Sequence, residues 1–196
     1  LIEQLKSQNT KVELENLRLQ INPHFLLNAL NSIYGLSLKK DDKTPEAILQ
    51  LSGFLKHMLY EHKEYITLSN EKEHIANYVA IQKLRLRNSD QVAITIDVAD
   101  ESQVIIPFVL LTFIENAFKH SDISENSTGF IQIMLRQQVD SIEFSIRNTF
   151  NPKKEMKSGI GLNNAKARLQ HYYNENYDLK INTNKDTYEV LLKISL

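Results

Sequence analysis

The sequence predicts an α+β fold in two parts, an N-terminal helical module followed by a layered domain of helices and one sheet. Residues 1–87 keep the three- and four-residue apolar spacing of helices almost throughout, and Gly35 and Gly53 are their only glycines. Later segments instead alternate apolar and polar residues, as half-buried strands do, with helical segments among them. Because a third helix opens the second part, we expect the two domains to span residues 1–66 and 67–196.

The overall composition restricts the class of protein. Hydrophobic residues make up 42% of the 196 residues and charged residues 24%, and the net charge of −1 provides no basic field that would attract nucleic acid. No cysteine is present, which excludes disulfides and thiolate metal sites. The most apolar run, residues 104–114, contains Pro107 and is shorter than the roughly 20 residues of a membrane span. Because the chain begins with Leu1 inside a helical pattern, we expect it to be part of a longer protein, with any membrane segment elsewhere in the parent.

The helical module is predicted to contain two antiparallel helices. Residues 1–38 form one long pattern, and its leading part has the heptad-like spacing of a coiled coil. After a turn at residues 39–43, Thr44 is the predicted N-cap of the second helix and Pro45 its first helical residue. Two such helices bury their apolar stripes poorly alone, so we expect a homodimer that completes a four-helix bundle.

The second domain is predicted to contain three helices and five strands. The helices are expected at residues 68–86, 108–120 and 162–174. The strands are expected at residues 91–98, 129–137, 141–147, 177–183 and 187–194. Short turns join the second strand to the third and the fourth to the fifth, so most neighbouring strands should be antiparallel.

The helix at residues 108–120 is apolar at its start and polar at its end, where Glu115, Asn116, Lys119 and His120 lie. Glu115 and Lys119 are four residues apart, and such a pair can simply lie on an exposed helix surface. Alternatively, a carboxylate and an amide at the mouth of a pocket suit an oxygen-preferring cation such as Mg²⁺ together with phosphates. The pattern alone leaves both interpretations open.

The last predicted helix begins with a glycine-containing segment. Gly159 and Gly161 precede Leu162 and Asn164. Glycines there permit close approach of the backbone, and free amides at a helix start attract phosphate. The polar residues 149–158 before them are typical of a nucleotide lid and equally of an ordinary exposed loop.

Pro23 and His24 interrupt the helical pattern near the start of the chain. A proline inside a helix removes a backbone donor and loosens the turn before it. Asn28 and Asn31 continue a polar strip beside the histidine. A single histidine on a helix is more often packed or solvated than catalytic, so these residues alone do not decide its role.

Together and in this order, the motifs resemble the LytS-type sensor histidine kinases, whose catalytic half belongs to the GHKL ATPase superfamily. Four segments, which span nearly the whole chain, carry the resemblance. They are similar in turn to the phosphoacceptor helix, the linking helix, the N box and the second glycine box of that family: residues 19–31, 68–85, 114–120 and 159–169.

The resemblance implies an ATP-dependent protein histidine kinase of a two-component system. It implies that His24 accepts the γ-phosphoryl group of ATP, that Glu115 orients or deprotonates the imidazole, and that Asn116 ligates Mg²⁺. The other positions that it assigns to nucleotide binding are Lys119, His120, Asn148, Gly159, Gly161, Leu162 and Asn164.

The resemblance also implies an architecture and partners. Residues 1–66 would form the coiled-coil entry and a dimeric four-helix bundle, and residues 67–196 a GHKL-type α/β sandwich with a mixed, mostly antiparallel sheet. The phosphoryl group would pass to an aspartate in the receiver domain of a response regulator. The chain would be the cytoplasmic portion of a bacterial inner-membrane protein.

The sequence departs from the family pattern at two positions. Phe25 follows His24 where many histidine kinases carry an acid, which leaves Glu115 as the acid–base candidate. Asn148 stands where an aspartate usually binds the adenine amino group, although an amide oxygen can also accept one hydrogen bond. Two other functions stay open: a GHKL-fold pseudokinase that acts as a dimeric scaffold, and a coiled-coil adaptor in which His24 is structural.

Overall fold

A computed structural model describes residues 23–60, 63–151 and 160–196 of the chain. The chain divides into two compact units, with the division between residues 62 and 63. The predicted coiled-coil entry within residues 1–22 and the predicted phosphate-binding Gly159 lie outside the described residues. None of the described helices has the length and apolar character that a membrane span requires.

Unit 1 contains a helical hairpin, as predicted, made of α1 (Pro23–Leu38) and α2 (Thr44–Tyr60). The two helices pack through apolar side chains, and the rings of Phe25 and Phe54 meet edge to face with centroids 5.1 Å apart. Burial of each ring contributes roughly 1.5–3 kcal/mol to holding the two helices together.

The predicted N-cap of α2 is wrong by one residue. The first helical hydrogen bond runs from the Ala47 amide to the carbonyl of Lys43, at 3.0 Å, so Lys43 occupies the cap position. The Thr44 hydroxyl instead donates to the Asp41 carbonyl, at 2.7 Å. The hydroxyl closes the preceding turn, which competes with capping for the same side chain.

One face of unit 1 is apolar and exposed. A groove of about 670 Å³ runs between the helices, and its lining is predominantly aliphatic. Three large side chains of the lining, Leu30, Ile48 and Leu59, are 42–51% exposed, and the two helices carry further exposed apolar residues at Leu27, Tyr34, Leu38 and Leu49. A contiguous apolar patch of this kind is uncommon on a monomeric protein and is typical of an interaction surface.

Unit 2 is built on a mixed five-stranded sheet. In chain order the described strands of unit 2, five of which form this sheet, are β1 (Ile66–Thr67), β2 (Val92–Asp97), β3 (Val104–Ile105), β4 (Ile131–Gln138), β5 (Ser141–Thr149), β6 (Tyr177–Thr183) and β7 (Thr187–Ser195). The large sheet has the order β2-β4-β5-β7-β6, in which only β2 and β4 are parallel. The predicted mixed, mostly antiparallel α+β architecture is therefore confirmed. Strands β1 and β3 form a separate antiparallel ladder that the sequence did not predict, because two residues show no period.

Unit 2 also contains three α-helices among its described residues: α3 (Leu68–Lys83), α4 (Val109–His120) and α5 (Ile160–Tyr173). α4 lies at the centre, packed on β4 and β5 and between the other two helices. Its Phe113 ring meets the Phe144 ring of β5 with centroids 6.2 Å apart. The core of unit 2 therefore surrounds α4, the helix on which the sequence placed four candidate site residues.

Candidate active site

The environment of Glu115 favours the pocket interpretation of the α4 residues. Burial raises the pKa of the Glu115 carboxyl to about 7, and the charge of Lys119, one turn later, opposes part of that rise. Burial, and to a smaller extent the charge of Glu115, raises the pKa of Tyr78 on α3. A carboxyl with a near-neutral pKa can accept and release protons at physiological pH, which an exposed ion-paired carboxylate cannot.

Asn116, the next residue of α4, has a buried amide nitrogen with no hydrogen-bond partner among the described residues. A buried polar atom without a partner typically costs about 1–3 kcal/mol, and because this nitrogen is a donor it suits a ligand that offers an acceptor oxygen. His120 lies at the end of the same helix, where burial and then the charge of Lys119 lower its pKa and favour the neutral ring. Lys119 itself is exposed.

Asn148 lies near the end of β5 and is 1% exposed. Its Nδ2 donates to the carbonyl of Thr149 at 3.0 Å, whereas its buried Oδ1 has no partner within the described parts of the chain. The Thr149 carbonyl therefore fixes which end of the amide remains available. A ligand at this position must offer a hydrogen-bond donor.

A hydrogen-bonded junction joins the end of α4 to the end of β5. Thr149 Oγ1 donates to Asp122 Oδ1 at 2.6 Å and accepts from the Phe130 amide at 3.1 Å. The Asp122 amide donates to the Thr149 carbonyl at 3.3 Å. A Cβ at Gly129 would lie 3.0 Å from both the Asp122 and Thr149 side-chain oxygens, so only glycine leaves the junction undisturbed.

Sequence reasoning missed Asp122 and Thr149. Their only signal was a polar residue directly after a helix and a threonine at a strand end, and both are common in turns. The junction nevertheless joins the end of the helix that carries Asn116 to the end of the strand that carries Asn148, so it helps to fix these two residues relative to each other.

The start of α5 brings the second candidate segment against α4. A Cβ at Gly161 would lie 3.7 Å from Thr112 Cγ2, which is ordinary contact. Gly161 and Asn164 are exposed and Leu162 is half-buried. Within unit 2 the start of α5 therefore lies beside Thr112 in the first part of α4, and the strand end that carries Asn148 is joined to the residues after α4.

His24 belongs to unit 1 and is exposed. The side-chain nitrogen Nδ2 of Asn28 lies 3.1 Å from His24 Nδ1 and 3.3 Å from His24 Nε2. The backbone carbonyl of Asn28 accepts from the Ser32 hydroxyl at 2.9 Å. Phe25, which stands where many histidine kinases carry an acid, is buried against α2. The imidazole therefore has an amide neighbour one turn on and faces solvent.

The donor set suits a cation that shares its coordination with a ligand. Among the described residues, no group of three or more His, Asp and Glu side chains is placed to hold a metal ion. Mg²⁺ commonly takes one or two protein ligands and completes its shell with phosphate oxygens and water. The Asn116 side-chain oxygen and the Glu115 carboxyl are oxygen donors that suit such shared coordination of Mg²⁺. The exposed ammonium of Lys119 suits the phosphates and not the cation.

Comparison with known proteins gives three relevant matches. The family model described as histidine kinase matches residues 12–90. Sensor histidine kinase BtsS of Escherichia coli is 30% identical over 189 residues, which cover 95% of this chain and 34% of that protein. Sensor protein LytS of Streptococcus agalactiae is 34% identical over 125 residues, which cover 63% of this chain and 21% of that protein. The chain thus spans at most about a third of the length of these curated relatives.

A solved structure of a bacterial phosphotransferase has a TM-score of 0.51 to this chain at 9% identity, covering 90% of this chain and 95% of that one. At this identity the likeness concerns the fold alone.

Proposed function

The chain belongs to the LytS-type histidine kinases, and from this premise we propose that it is the catalytic portion of a two-component sensor kinase. In this proposal it transfers the γ-phosphoryl group of ATP to His24 and then to an aspartate of a response-regulator receiver domain. The observation that carries the proposal is on α4, where a carboxyl with a pKa of about 7 adjoins an amide whose buried nitrogen is unpaired.

Nucleotide binding is assigned to the residues around the end of α4. Asn148 Oδ1, whose orientation Thr149 fixes, would accept from the adenine amino group. Asn116 would ligate Mg²⁺, which supplies charge neutralisation to the phosphates when bound. The exposed charge of Lys119 would add to that neutralisation. Gly159, Gly161, Leu162, Asn164 and His120 would line the phosphate end of the site.

The chemistry assigned to the chain is nucleophilic attack by His24. An unprotonated imidazole nitrogen would supply the electron pair of the new P–N bond, and the bond from the γ-phosphorus to the bridging oxygen would break with its pair left on ADP. The proton on the other imidazole nitrogen would then pass to Glu115. A carboxyl with a pKa of about 7 is suited to this role because it is substantially ionised at neutral pH.

Labelling with γ-labelled ATP and Mg²⁺ tests the proposal. We expect acid-labile, base-stable label on the parent protein and none above background on His24→Gln. His171→Gln, which changes another exposed helical histidine, should keep the parental level. Equal label on His24→Gln would place the acceptor elsewhere.

Thermal shift distinguishes the two alternatives if no protein is labelled. ATP at 100 times its dissociation constant should stabilise a binding-competent protein by about 2.7 kcal/mol. A shift without label would indicate the pseudokinase scaffold. Neither label nor shift would indicate a coiled-coil adaptor.

The exposed apolar face of unit 1 is assigned to a homodimer. A second copy of the hairpin would cover the groove and complete a four-helix bundle. Replacing both Leu30 and Ile48 with lysine should weaken dimerisation by at least about 100-fold, since each buried aliphatic side chain contributes about 1.5–3 kcal/mol. Sedimentation measures this, with the sheet residue Leu191→Lys as control; a double variant that remains dimeric would place the interface elsewhere.

The relatives bear on where the parent protein acts. They are named as sensors, and the chain spans about a third of BtsS. We therefore assign the chain to the cytoplasmic portion of a bacterial inner-membrane sensor, with the membrane attachment in other segments of the parent.

A further inference from the structure

The amino-terminal turn of α4 is capped by a side chain from another helix. Glu71 of α3 is fully buried, and its Oε2 and Oε1 accept from the amides of Phe108 and Leu110 at 3.1 and 3.3 Å. Phe108 is the N-cap residue of α4, adopts a left-handed φ of 59° and makes no side-chain cap of its own. Glu71 therefore supplies the negative charge and the two acceptors that the local sequence lacks.

Helix α5 holds the same turn from the other side. Arg168 Nη2 donates to the Pro107 carbonyl at 2.8 Å, and the Tyr173 hydroxyl accepts from the Ile106 amide at 3.1 Å. Burial lowers the pKa of Arg168, and the Glu71 charge opposes that change, so the two charges interact across the turn. Four backbone groups within residues 106–110 are thus hydrogen-bonded by side chains of α3 and α5.

The ring of Phe108 is held as well. His74, one turn after Glu71, stacks on it with centroids 4.9 Å apart and an interplanar angle of 19°. His74 Nδ1 also lies 3.5 Å from Glu71 Oε2. A left-handed conformation is unfavourable for an aromatic residue and persists only where the surroundings determine it. For Phe108 these surroundings are the stacked His74 ring and the bond from its amide to Glu71.

We propose that Glu71 and Arg168 are positioning residues for the nucleotide site. They fix the start of α4 relative to α5, and α4 carries that position along its rigid length to Glu115 and Asn116. The separation between Asn116 and the glycine-containing start of α5 is therefore set by the capped turn. The inference rests on the proposed function, because it takes the nucleotide to bind between these two elements.

Glu71→Gln is the main test variant. Glutamine keeps the volume and one acceptor oxygen, but it removes the charge and puts a donor where the second acceptor was, so one of the two amides loses its partner. We expect at least a tenfold weaker Kd for a non-hydrolysable ATP analogue with Mg²⁺, measured calorimetrically. In the nucleotide-free protein, hydrogen exchange of the Phe108 and Leu110 amides should be faster than in the parent.

Arg168→Lys provides a second variant should Glu71→Gln fail to fold. It keeps the positive charge but cannot reproduce the guanidinium geometry at the Pro107 carbonyl. We expect it to weaken analogue binding in the same direction. In the double variant the loss should be smaller than the sum of the two single losses, because both residues act on one turn.

Thr67→Ala is the matched control. It removes the N-cap bond of α3, in which Thr67 Oγ1 accepts from the Asn70 amide at 3.3 Å, without touching α4. It should lower the melting temperature and leave the Kd unchanged. If Glu71→Gln and Arg168→Lys behave in the same way, with lower stability and parental affinity, the inference is overturned while the proposed function stands. A parent protein that binds no analogue overturns both.

Discussion

Glu115→Gln is expected to abolish phosphotransfer and, above pH 7, to stabilise the protein. Glutamine has nearly the same shape but cannot accept a proton. Loss of a general base usually lowers a rate by about 10²- to 10⁴-fold, so label on His24 should fall by that factor. The opposite effect on stability arises because ionised Glu115 is costly in its buried position, where its pKa is raised to about 7.

The size of the stability change depends on pH. The Glu115 pKa is 4.5 in a model peptide and about 7 in the folded protein, so between these values the native state binds the proton and the unfolded state does not. The stability of the parent should therefore fall as pH rises from about 4.5 to 7 and then level off. The shift corresponds to on the order of 3 kcal/mol, and Glu115→Gln should gain up to that amount relative to the parent at pH 8.

Denaturant unfolding at pH 4.5, 6 and 8, together with the labelling assay, measures both effects. Glu175→Gln, which changes an exposed carboxylate, should follow the parent throughout. A Glu115→Gln variant with parental labelling would remove the acid–base role. A stability difference that does not change with pH would contradict the raised pKa.

The elements that could be predicted from the sequence are those in which buried residues recur at the regular spacing of a helix or a strand. β4 and β5 alternate buried and exposed residues, and the apolar stripe of α4 lies against the sheet, so both periods are visible in a window of about ten residues. Strands β1 and β3 contribute two residues each and pair Ile66 with Ile105 and Thr67 with Val104, far apart in the sequence, and no local pattern predicts such a pairing.

The same distinction applies to the candidate site. The polar end of α4 was visible because it interrupts an apolar stripe, and the assignment of its residues to a site stays a prediction. The Asp122–Thr149 bond joins residues 27 positions apart, and Glu71 reaches Phe108 across 37. Support of this kind depends on which elements meet, so it becomes visible only when the chain is folded.

Asn148→Asp is expected to destabilise the protein, although an aspartate at this position would match the usual pattern of GHKL proteins. One carboxylate oxygen would replace Nδ2, which lies 3.0 Å from the Thr149 carbonyl, so an attraction would become a repulsion between two acceptors. The position is 1% exposed, and the carboxylate of Asp122 is bound to the neighbouring Thr149 side chain. At pH 8 we expect the free energy of unfolding to fall by about 2–4 kcal/mol.

Acidification should restore most of this loss. Burial and the neighbouring acceptors raise the folded-state pKa of the introduced carboxyl, so its cost is present above that pKa and disappears as the group is protonated and donates to Thr149. Unfolding at pH 5 and pH 8 measures the difference, with Asn184→Asp in the exposed β6–β7 turn as control. If Asn148→Asp instead keeps parental stability at pH 8 and binds the ATP analogue more tightly, the hydrogen bond to the Thr149 carbonyl is not the reason that asparagine occupies position 148. With the expected result, the hydrogen bond to the Thr149 carbonyl is what favours asparagine at this position, and that bond leaves Oδ1 as the acceptor that the proposed nucleotide contact uses.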